Sequence, residues 1–348
     1  MDISRIYDDI LARVRRVDFS ALWQGFHPLK FALYTESECF FDGEYIEKTD
    51  DFCANTAIEF RGENIAIWGL DGEVSDLDSL AASMIHEMFH AYQQERGESR
   101  WADEMDALAN YEYSAENLSM KLAEAGLMRA AVENDDRGAY LSLVSLRKRR
   151  STEHSYEYDY EARIEQIEGS ATYVELAALG QLDAAKARER WGTLLERIAR
   201  AENYLPIRII SYEIGAAVLA CARRFSEVDV EAFDDRPFAV ALLDEPCETD
   251  APAAALLGGD ARGVDELLKE YAAETHRIVA EAVAKNDRVP IDGHPLVSVN
   301  IWDARREGRF VTSNFFVMYR DGDQNRVIDG DFVLELDENR VILNAYRR

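Results

Sequence analysis

The H-E-x-x-H pattern at residues 86–90 constrains this chain more than any other part of its sequence. It lies in residues 79–94, where apolar side chains recur at helical spacing. Positions i and i+4 of a helix share one face, so His86 and His90 can bind the same Zn²⁺. Glu87 stands beside the first histidine and can act as general base on a water bound to that metal. The pattern therefore predicts a zinc-dependent hydrolase and, within that class, favours a peptidase.

Composition limits the partners that such a chain can have. Its 348 residues include 39 basic and 67 acidic side chains, which gives a net charge of −28. This excess of negative charge repels nucleic acids and anionic membrane surfaces, so we expect neither as a partner. No apolar run approaches the roughly 20 residues that a membrane span needs. A peptide or protein substrate is the partner that we expect, and the oligomeric state is left open.

The first residues and the cysteines suggest a location. The N-terminal segment lacks the basic and apolar regions of a secretory signal. Cys39, Cys53, Cys221 and Cys247 are scattered and form no C-x-x-C pair, so we expect reduced thiols. Together these features predict a cytoplasmic protein.

Hydrophobic patterning predicts an α+β fold in which the strands lie near the two ends of the chain. The expected N-terminal strands are 31–34, 39–41, 56–60 and 64–70. The expected helices are 2–17, 77–96, 101–128, 131–149, 155–179, 183–203, 206–225 and 262–285. The expected C-terminal strands are 296–302, 310–319, 326–336 and 341–346. We therefore expect a catalytic domain over 1–288, with a small α/β lobe (1–76) and a helical lobe (77–288), and an antiparallel β subdomain over 289–348.

A catalytic zinc ion usually has three protein ligands and one open position, so H-E-x-x-H leaves one ligand to be found. The segment after His90 lacks the third histidine of the metzincin pattern, which argues against that class. Glu112, Glu168 and His154 are the candidates, and both glutamates are expected on helices. Gly169 is small and would let its helix approach another closely, which favours Glu168.

Residues 168–175 read E-G-S-A-T-Y-V-E. They closely resemble the third-ligand helix of the aminopeptidase N family of gluzincins, which reads E-G-x-A-[ST]-[YFW]-x-E. The first glutamate of that motif binds zinc, so the resemblance implies Glu168 as the third ligand. The distance from H-E-x-x-H is longer than in the family, which implies additional helices between the two motifs. Glu175 lies on the same helical face as Glu168, where it can support a ligand or face the substrate.

Peptide hydrolysis also needs a donor for the developing oxyanion, and Tyr, His or Arg can serve. Residues 211–216 read S-Y-E-I-G-A. They resemble the aminopeptidase N segment S-Y-x-K-G-A, whose tyrosine is the catalytic donor, and the resemblance implies that role for Tyr212. The family's lysine is replaced by Ile214, so this match is partial.

The three motifs occur in the family's order and cover roughly residues 80–220. The resemblance implies a zincin-like, thermolysin-like fold, mainly helical, with a small N-terminal sheet and one Zn²⁺. It fails outside that span, because the G-x-M-E-N segment and the large N-terminal β domain are both missing. The family's exopeptidase specificity is therefore not implied, and the choice between endopeptidase and exopeptidase is left open.

The expected mechanism assigns Zn²⁺ to His86, His90 and Glu168, the proton transfers to Glu87, and the oxyanion to Tyr212. A substrate strand would pair with an exposed sheet edge at residues 64–70. The alternative is a zincin-fold binding or regulatory protein with little general turnover. A C-terminal β subdomain that covers the cleft or recruits a partner would suit that alternative.

Overall fold

A computed structural model describes residues 2–246 and 261–348 of the chain. It combines many helices with one sheet near the N terminus and two antiparallel sheets near the C terminus, which confirms the α+β class. Cys39, Cys53 and Cys221 are free thiols, as predicted, and Cys247 lies outside the described residues. Within the described ranges, none of the helices is both long enough and apolar enough to cross a membrane.

The N-terminal sheet has five strands, of which the sequence predicted all but the third. They are β1 (Phe31–Tyr34), β2 (Cys39–Phe41), β3 (Glu44–Ile46), β4 (Thr56–Phe60) and β5 (Glu63–Gly69). Their order is β3-β2-β1-β5-β4, and β1 runs parallel to β5 while the other neighbours are antiparallel. Side chains alternate between faces, so Phe31 and Leu33 join the main helical core while Ala32 and Tyr34 join a second apolar cluster.

The prediction that residues 64–70 form an exposed edge is wrong. β5 is bonded to β1 on one side and to β4 on the other, so its backbone groups are already paired. The edges of this sheet are β3 and β4. Strand order depends on pairing between distant segments, which the local pattern of one strand does not contain.

Helices make up most of the rest of the described chain. They are α1 (Ile3–Val14), α2 (Phe19–Leu22), α3 (Leu77–Glu95), α4 (Glu104–Asn110), α5 (Ala115–Asn134), α6 (Arg137–Glu153), α7 (Ser155–Ile164), α8 (Ser170–Leu182), α9 (Ala184–Ile198), α10 (Ile207–Phe225), α11 (Phe238–Ala241) and α12 (Ala261–Lys285). A π-helical turn (Glu165–Gly169) joins α7 to α8, and 3₁₀ turns occupy Ala201–Tyr204 and Leu242–Asp244.

The predicted helix 101–128 is two helices with a loop between them. Tyr111 has an extended backbone, and the Ser114 side chain accepts a hydrogen bond from the Asn117 amide as the cap of α5. A serine that satisfies a free amide in this way favours a new helix start over continuation of the previous helix. Glu112 therefore lies in a loop, which corrects its predicted place on a helix.

Helix α3, which carries the H-E-x-x-H pattern, starts where the sequence predicts. The Asp76 carboxylate accepts hydrogen bonds from the amides of Asp78 and Ser79 and so caps the helix. Met84 and Met88 are fully buried in the main core, while the two histidines are turned to the other side of the helix. This burial fixes the rotation of α3 about its axis.

The π turn brings two glycines of different helices into direct contact. A Cβ atom built on Gly169 would lie 2.6 Å from Cα of Gly215, and one built on Gly215 would lie 2.8 Å from Cα of Glu165. Only glycine leaves room for this approach. A π turn inserts one residue into a helix and often occurs at functional sites. The sequence predicted one continuous helix over residues 155–179, so the π turn within it was not expected.

Six charged side chains are buried among α5, α6, α7 and the π turn, and we call them the buried charge cluster. They are Lys121, Glu124, Arg147, Arg150, Glu161 and Glu165, each at most 2% exposed. Arg150 donates to Glu124 at 2.7 Å and to Glu161 at 2.6 Å, and Lys121 also bonds Glu161. Burial alone would raise the pKa of Glu161, but Arg150 and Lys121 hold it at about 2. The three cations match the three carboxylates in number.

The C-terminal strands form two antiparallel sheets. They are β6 (Leu296–Val299), β7 (Arg306–Glu307), β8 (Phe310–Ser313), β9 (Phe316–Asp321), β10 (Gln324–Asp329), β11 (Phe332–Leu336) and β12 (Ile342–Arg347), in the orders β10-β9-β6 and β12-β11-β8-β7. Two predicted strands are each divided by a turn, at Phe315 with φ 70° and at Gly330 with φ 132°. Met105 and Leu108 of α4 pack against the core of these sheets. The domain boundary near residue 288 stays a prediction.

The close contact between Gly169 and Gly215 leads to a prediction about the free energy of unfolding. Gly215→Ala should lower the free energy of unfolding by about 1–3 kcal/mol, because the new methyl group would overlap backbone atoms that cannot move aside. Gly126→Ala is the matched control. Gly126 lies in α5 with nothing within 4 Å of its Cβ position, so this change should be neutral or stabilising by up to about 1 kcal/mol. Urea unfolding measures both, and equal stability of the two variants would contradict the contact.

Candidate metal centre

The two histidines of α3 face each other across one turn of the helix. The Nε2 atoms of His86 and His90 are 3.1 Å apart, and both side chains are 12% exposed. Neighbours at i and i+4 project from the same face, and the buried apolar side chains on the opposite face hold that face toward a cleft. Two imidazole nitrogens thus converge on one point.

Glu168 reaches the same point from the π turn. Its Oε2 atom lies 3.3 Å from Nε2 of His90 and 3.9 Å from Nε2 of His86. These three side chains form a group whose ligand atoms all lie within 4.8 Å of one another. Residues 86, 90 and 168, which the sequence singled out as metal ligands, are thus brought together.

The hydrogen bonds around His90 assign its proton. Nε2 of Gln93 donates to the carbonyl of Ile167 at 3.1 Å and to Oγ of Ser170 at 3.2 Å, which leaves Oε1 of Gln93 as an acceptor. Nδ1 of His90 lies 2.9 Å from that oxygen and must donate to it. In the neutral ring, Nε2 of His90 then carries the lone pair, and this atom faces His86 and Glu168.

His86 has its own support on α8. Its Nδ1 atom lies 3.2 Å from Oε2 of Glu175, although the two do not form a hydrogen bond of good geometry. Glu175 is held in turn by Oγ of Ser83 at 3.1 Å and by Arg190 at 3.3 Å. Its side chain is 14% exposed and is placed beside the site rather than in open solvent.

The site is built to hold positive charge. Burial alone would lower the pKa of His86, but the carboxylates of Glu168 and Glu175 outweigh it and raise that pKa to about 10. Burial would likewise raise the pKa of Glu168, yet His90, His86 and Arg208 hold it well below its usual range. A divalent cation can take the place of the proton on His86. Two imidazoles and one carboxylate are a donor set that zinc accepts, so the residues fit a metal ion.

Glu87 lies in the same cleft and is 8% exposed. Burial raises the pKa of its carboxyl, and the nearby His86 and His90 partly offset that effect. A buried carboxylate with a raised pKa is a better proton acceptor than an exposed one, which suits a general base.

Tyr212 and Arg208 extend from α10 toward the cluster of His86, His90 and Glu168. The Arg208 guanidinium donates to Oε1 of Glu104 at 2.8 Å and to Oε1 of Glu168 at 3.2 Å, and it also hydrogen-bonds the Tyr212 hydroxyl. Arg208 therefore engages the Glu168 oxygen that faces away from the histidines. It also ties the tyrosine to the same carboxylate.

These groups line a cleft of about 720 Å³. The N-terminal sheet contributes Thr56 from its edge strand β4 and Trp68 from β5. Trp101 and Trp302 also line it and are 44% and 60% exposed, so they stand at its rim. Helices, sheet and C-terminal segment therefore all contribute to this cleft, and its size suits a short stretch of peptide.

Two of the sequence candidates lie elsewhere. Glu112 is exposed in the loop between α4 and α5 and does not line the cleft. His154 stands at the junction of α6 and α7 and is not among the cleft residues either.

Sequence reasoning missed Gln93, which orients His90, and Arg208, which holds Glu168. Gln93 follows His90 by three positions and Arg208 precedes Tyr212 by four. Helical spacing was therefore the signal that could have identified both, because it puts each of them beside a candidate on the same helix.

Comparison with family models, with curated proteins and with solved structures found no match to this chain.

The geometry predicts which carboxylate controls metal affinity. Glu168→Gln should weaken zinc binding by at least about 100-fold, since changes in groups that only position a ligand already cost about 10–100-fold. Glu112→Gln is the matched control and should bind zinc as the unchanged chain does. Competition with a chromophoric chelator measures both affinities. Weakened binding in Glu112→Gln with normal binding in Glu168→Gln would overturn the assignment.

Proposed function

We propose that this chain is a zinc-dependent peptide-bond hydrolase with a zincin-like catalytic fold. One observation carries the proposal: His86, His90 and Glu168 converge in a cleft that also contains Glu87 and Tyr212. The H-E-x-x-H helix provides two ligands and the adjacent glutamate, and a separate helix provides the third ligand. This division of roles is the one that zinc peptidases with a His₂Glu ligand set use.

When bound, Zn²⁺ would act as a Lewis acid toward the scissile carbonyl and would lower the pKa of a coordinated water toward about 7. The rest of the chemistry belongs to side chains of this chain. Glu87 takes the proton of the attacking water at its carboxylate and later delivers it to the leaving amine. The Tyr212 hydroxyl donates a hydrogen bond to the oxyanion. Arg208 orients both Tyr212 and Glu168.

The cleft supports an extended peptide as the substrate. The start of β4 at Thr56 lines it, and β4 is an edge strand with one side free of sheet partners. Such an edge can add a substrate strand through backbone hydrogen bonds. We therefore expect the substrate strand to pair with residues 56–60 rather than with residues 64–70. We predict no nucleic acid or membrane partner from charge and apolar run length, and a cytoplasmic location from the N-terminal segment and the cysteines. These stay predictions.

The role of Glu87 is tested by a change that keeps its shape. Glu87→Gln should lower kcat on a peptide library by about 10²–10⁴-fold, the range for loss of a general base, while zinc content is unchanged. Glu95→Gln, an exposed change on the same helix, is the control and should leave kcat unchanged. Mass-spectrometric detection of cleaved peptides measures both. Full activity of Glu87→Gln would refute the mechanism, and bound zinc without any cleavage by the unchanged chain would support the binding or regulatory alternative.

The role of Tyr212 is tested by removing only its hydroxyl. Tyr212→Phe should lower kcat by about 10²–10³-fold with little change in KM, because an oxyanion donor acts mainly in the transition state. Tyr45→Phe, at an exposed tyrosine of β3, is the control. Steady-state kinetics on one cleaved peptide separates the two constants. A raised KM with normal kcat would instead make Tyr212 a substrate-binding residue.

A further inference from the structure

A second cavity adjoins the cleft, and we call it the side pocket. It has a volume of about 270 Å³ and lies between α4, α10, α12 and residues 301–308 of the C-terminal segment. Arg208 lines both cavities, and the neighbouring residues Ile301 and Trp302 line one cavity each. A ligand that occupies the cleft therefore passes close to the mouth of the side pocket.

Four tyrosines give the side pocket its aromatic character. Ring centroids of neighbouring tyrosines are 4.9–5.7 Å apart, and the four are Tyr111, Tyr113, Tyr160 and Tyr271. The volume lies just below the range of about 300–1,000 Å³ that is typical for drug-sized ligands. The side pocket therefore suits one side chain or chain end rather than a longer segment.

Arg305 is the unusual group in this pocket. Its guanidinium lies 4.3 Å from the centre of the Tyr271 ring, and its buried Nη1 atom has no hydrogen-bond partner. Within the described parts of the chain, no carboxylate lies within 4 Å of it. A buried N–H donor without an acceptor is costly, so an acceptor oxygen at Nη1 would be stabilising.

The carboxylates nearby are already bound to other groups. Glu104 lines the pocket, but it accepts from Arg208 and from the Tyr160 hydroxyl, each at 2.8 Å. The remaining pairs are Glu307 with His276, Glu274 with Arg277, and Asp303 with Asn300 and Asn314. These carboxylates are therefore engaged elsewhere, and a ligand carboxylate is a suitable acceptor for Nη1 of Arg305.

We infer that the side pocket binds a carboxylate of the peptide substrate, with Arg305 as its partner. This inference rests on the proposed peptidase function. The carboxylate belongs either to an acidic side chain near the scissile bond or to the C terminus of the peptide, and the two share the same bidentate chemistry with arginine. Residues 301–308 then contact the substrate, with Trp302 at the rim of the cleft and Arg305 in the side pocket. This gives the C-terminal segment a role in specificity.

The experiment uses synthetic peptides in matched pairs. One set carries Glu or Gln at a single position, and another pair ends in a free carboxylate or a carboxamide. Binding to zinc-loaded Glu87→Gln protein is measured by isothermal titration calorimetry, so the result does not depend on turnover. One carboxylate-bearing peptide should bind about tenfold or more tightly than its neutral partner, as a charge-assisted hydrogen bond provides. The pair that shows the difference identifies the source of the carboxylate.

Adding Arg305→Gln should reduce this affinity ratio to about one. Adding Arg326→Gln, an exposed arginine of β10 away from the pocket, should leave the ratio intact. Thermal unfolding and zinc content verify that both variants are folded. Equal binding within every pair, or an unchanged ratio in Arg305→Gln, would overturn the inference even if peptides are cleaved. A ratio that depends on Arg305 without any cleavage by the unchanged chain would uphold the pocket and count against the peptidase function alone.

Discussion

The direct backbone contact between Gly169 and Gly215 is the constraint on which the candidate site depends. It places the π turn against α10, so that Glu168 and Tyr212, more than forty residues apart in sequence, lie beside the same pair of histidines. Any larger side chain at either glycine would separate the two helices by displacing backbone rather than a flexible side chain. The convergence of His86, His90 and Glu168 is therefore a consequence of helix packing as much as of side-chain chemistry.

Electrostatics then determine what that packing can hold. Glu168 and Glu175 surround the histidines with negative charge, while Gln93 and Arg208 settle the orientation of the groups that face the cleft. His90 and Glu168 thus each have a second partner that fixes their direction, as the ligands of metal sites generally do. The cleft adds the buried carboxylate of Glu87 and the hydroxyl of Tyr212, the two groups to which the proposed mechanism assigns proton transfer and oxyanion stabilisation.

The sequence predicted those parts of the site that depend on local spacing. The positions of His86 and His90 follow from one helical turn, and motif resemblance indicated Glu168 and Tyr212. Prediction from the sequence failed for features that depend on contacts between distant segments. The edge of the N-terminal sheet depends on which strands pair, and the surroundings of Arg305 depend on helices and strands far apart in the chain. The π turn escaped prediction because its residues fit an ordinary helix equally well.

The buried charge cluster has a consequence for how the molecule opens. Its three cations and three carboxylates come from α5, α6, α7 and the π turn; α6 contributes only cations, while α7 and the π turn contribute only carboxylates. Detaching α6, α7 or the π turn would therefore leave unpaired charge in the interior, which is far more costly than losing apolar contacts alone. We therefore expect α6, α7 and the π turn, which lie behind Glu168, to separate together. Local fraying is suppressed on the side of the cleft that carries Glu168.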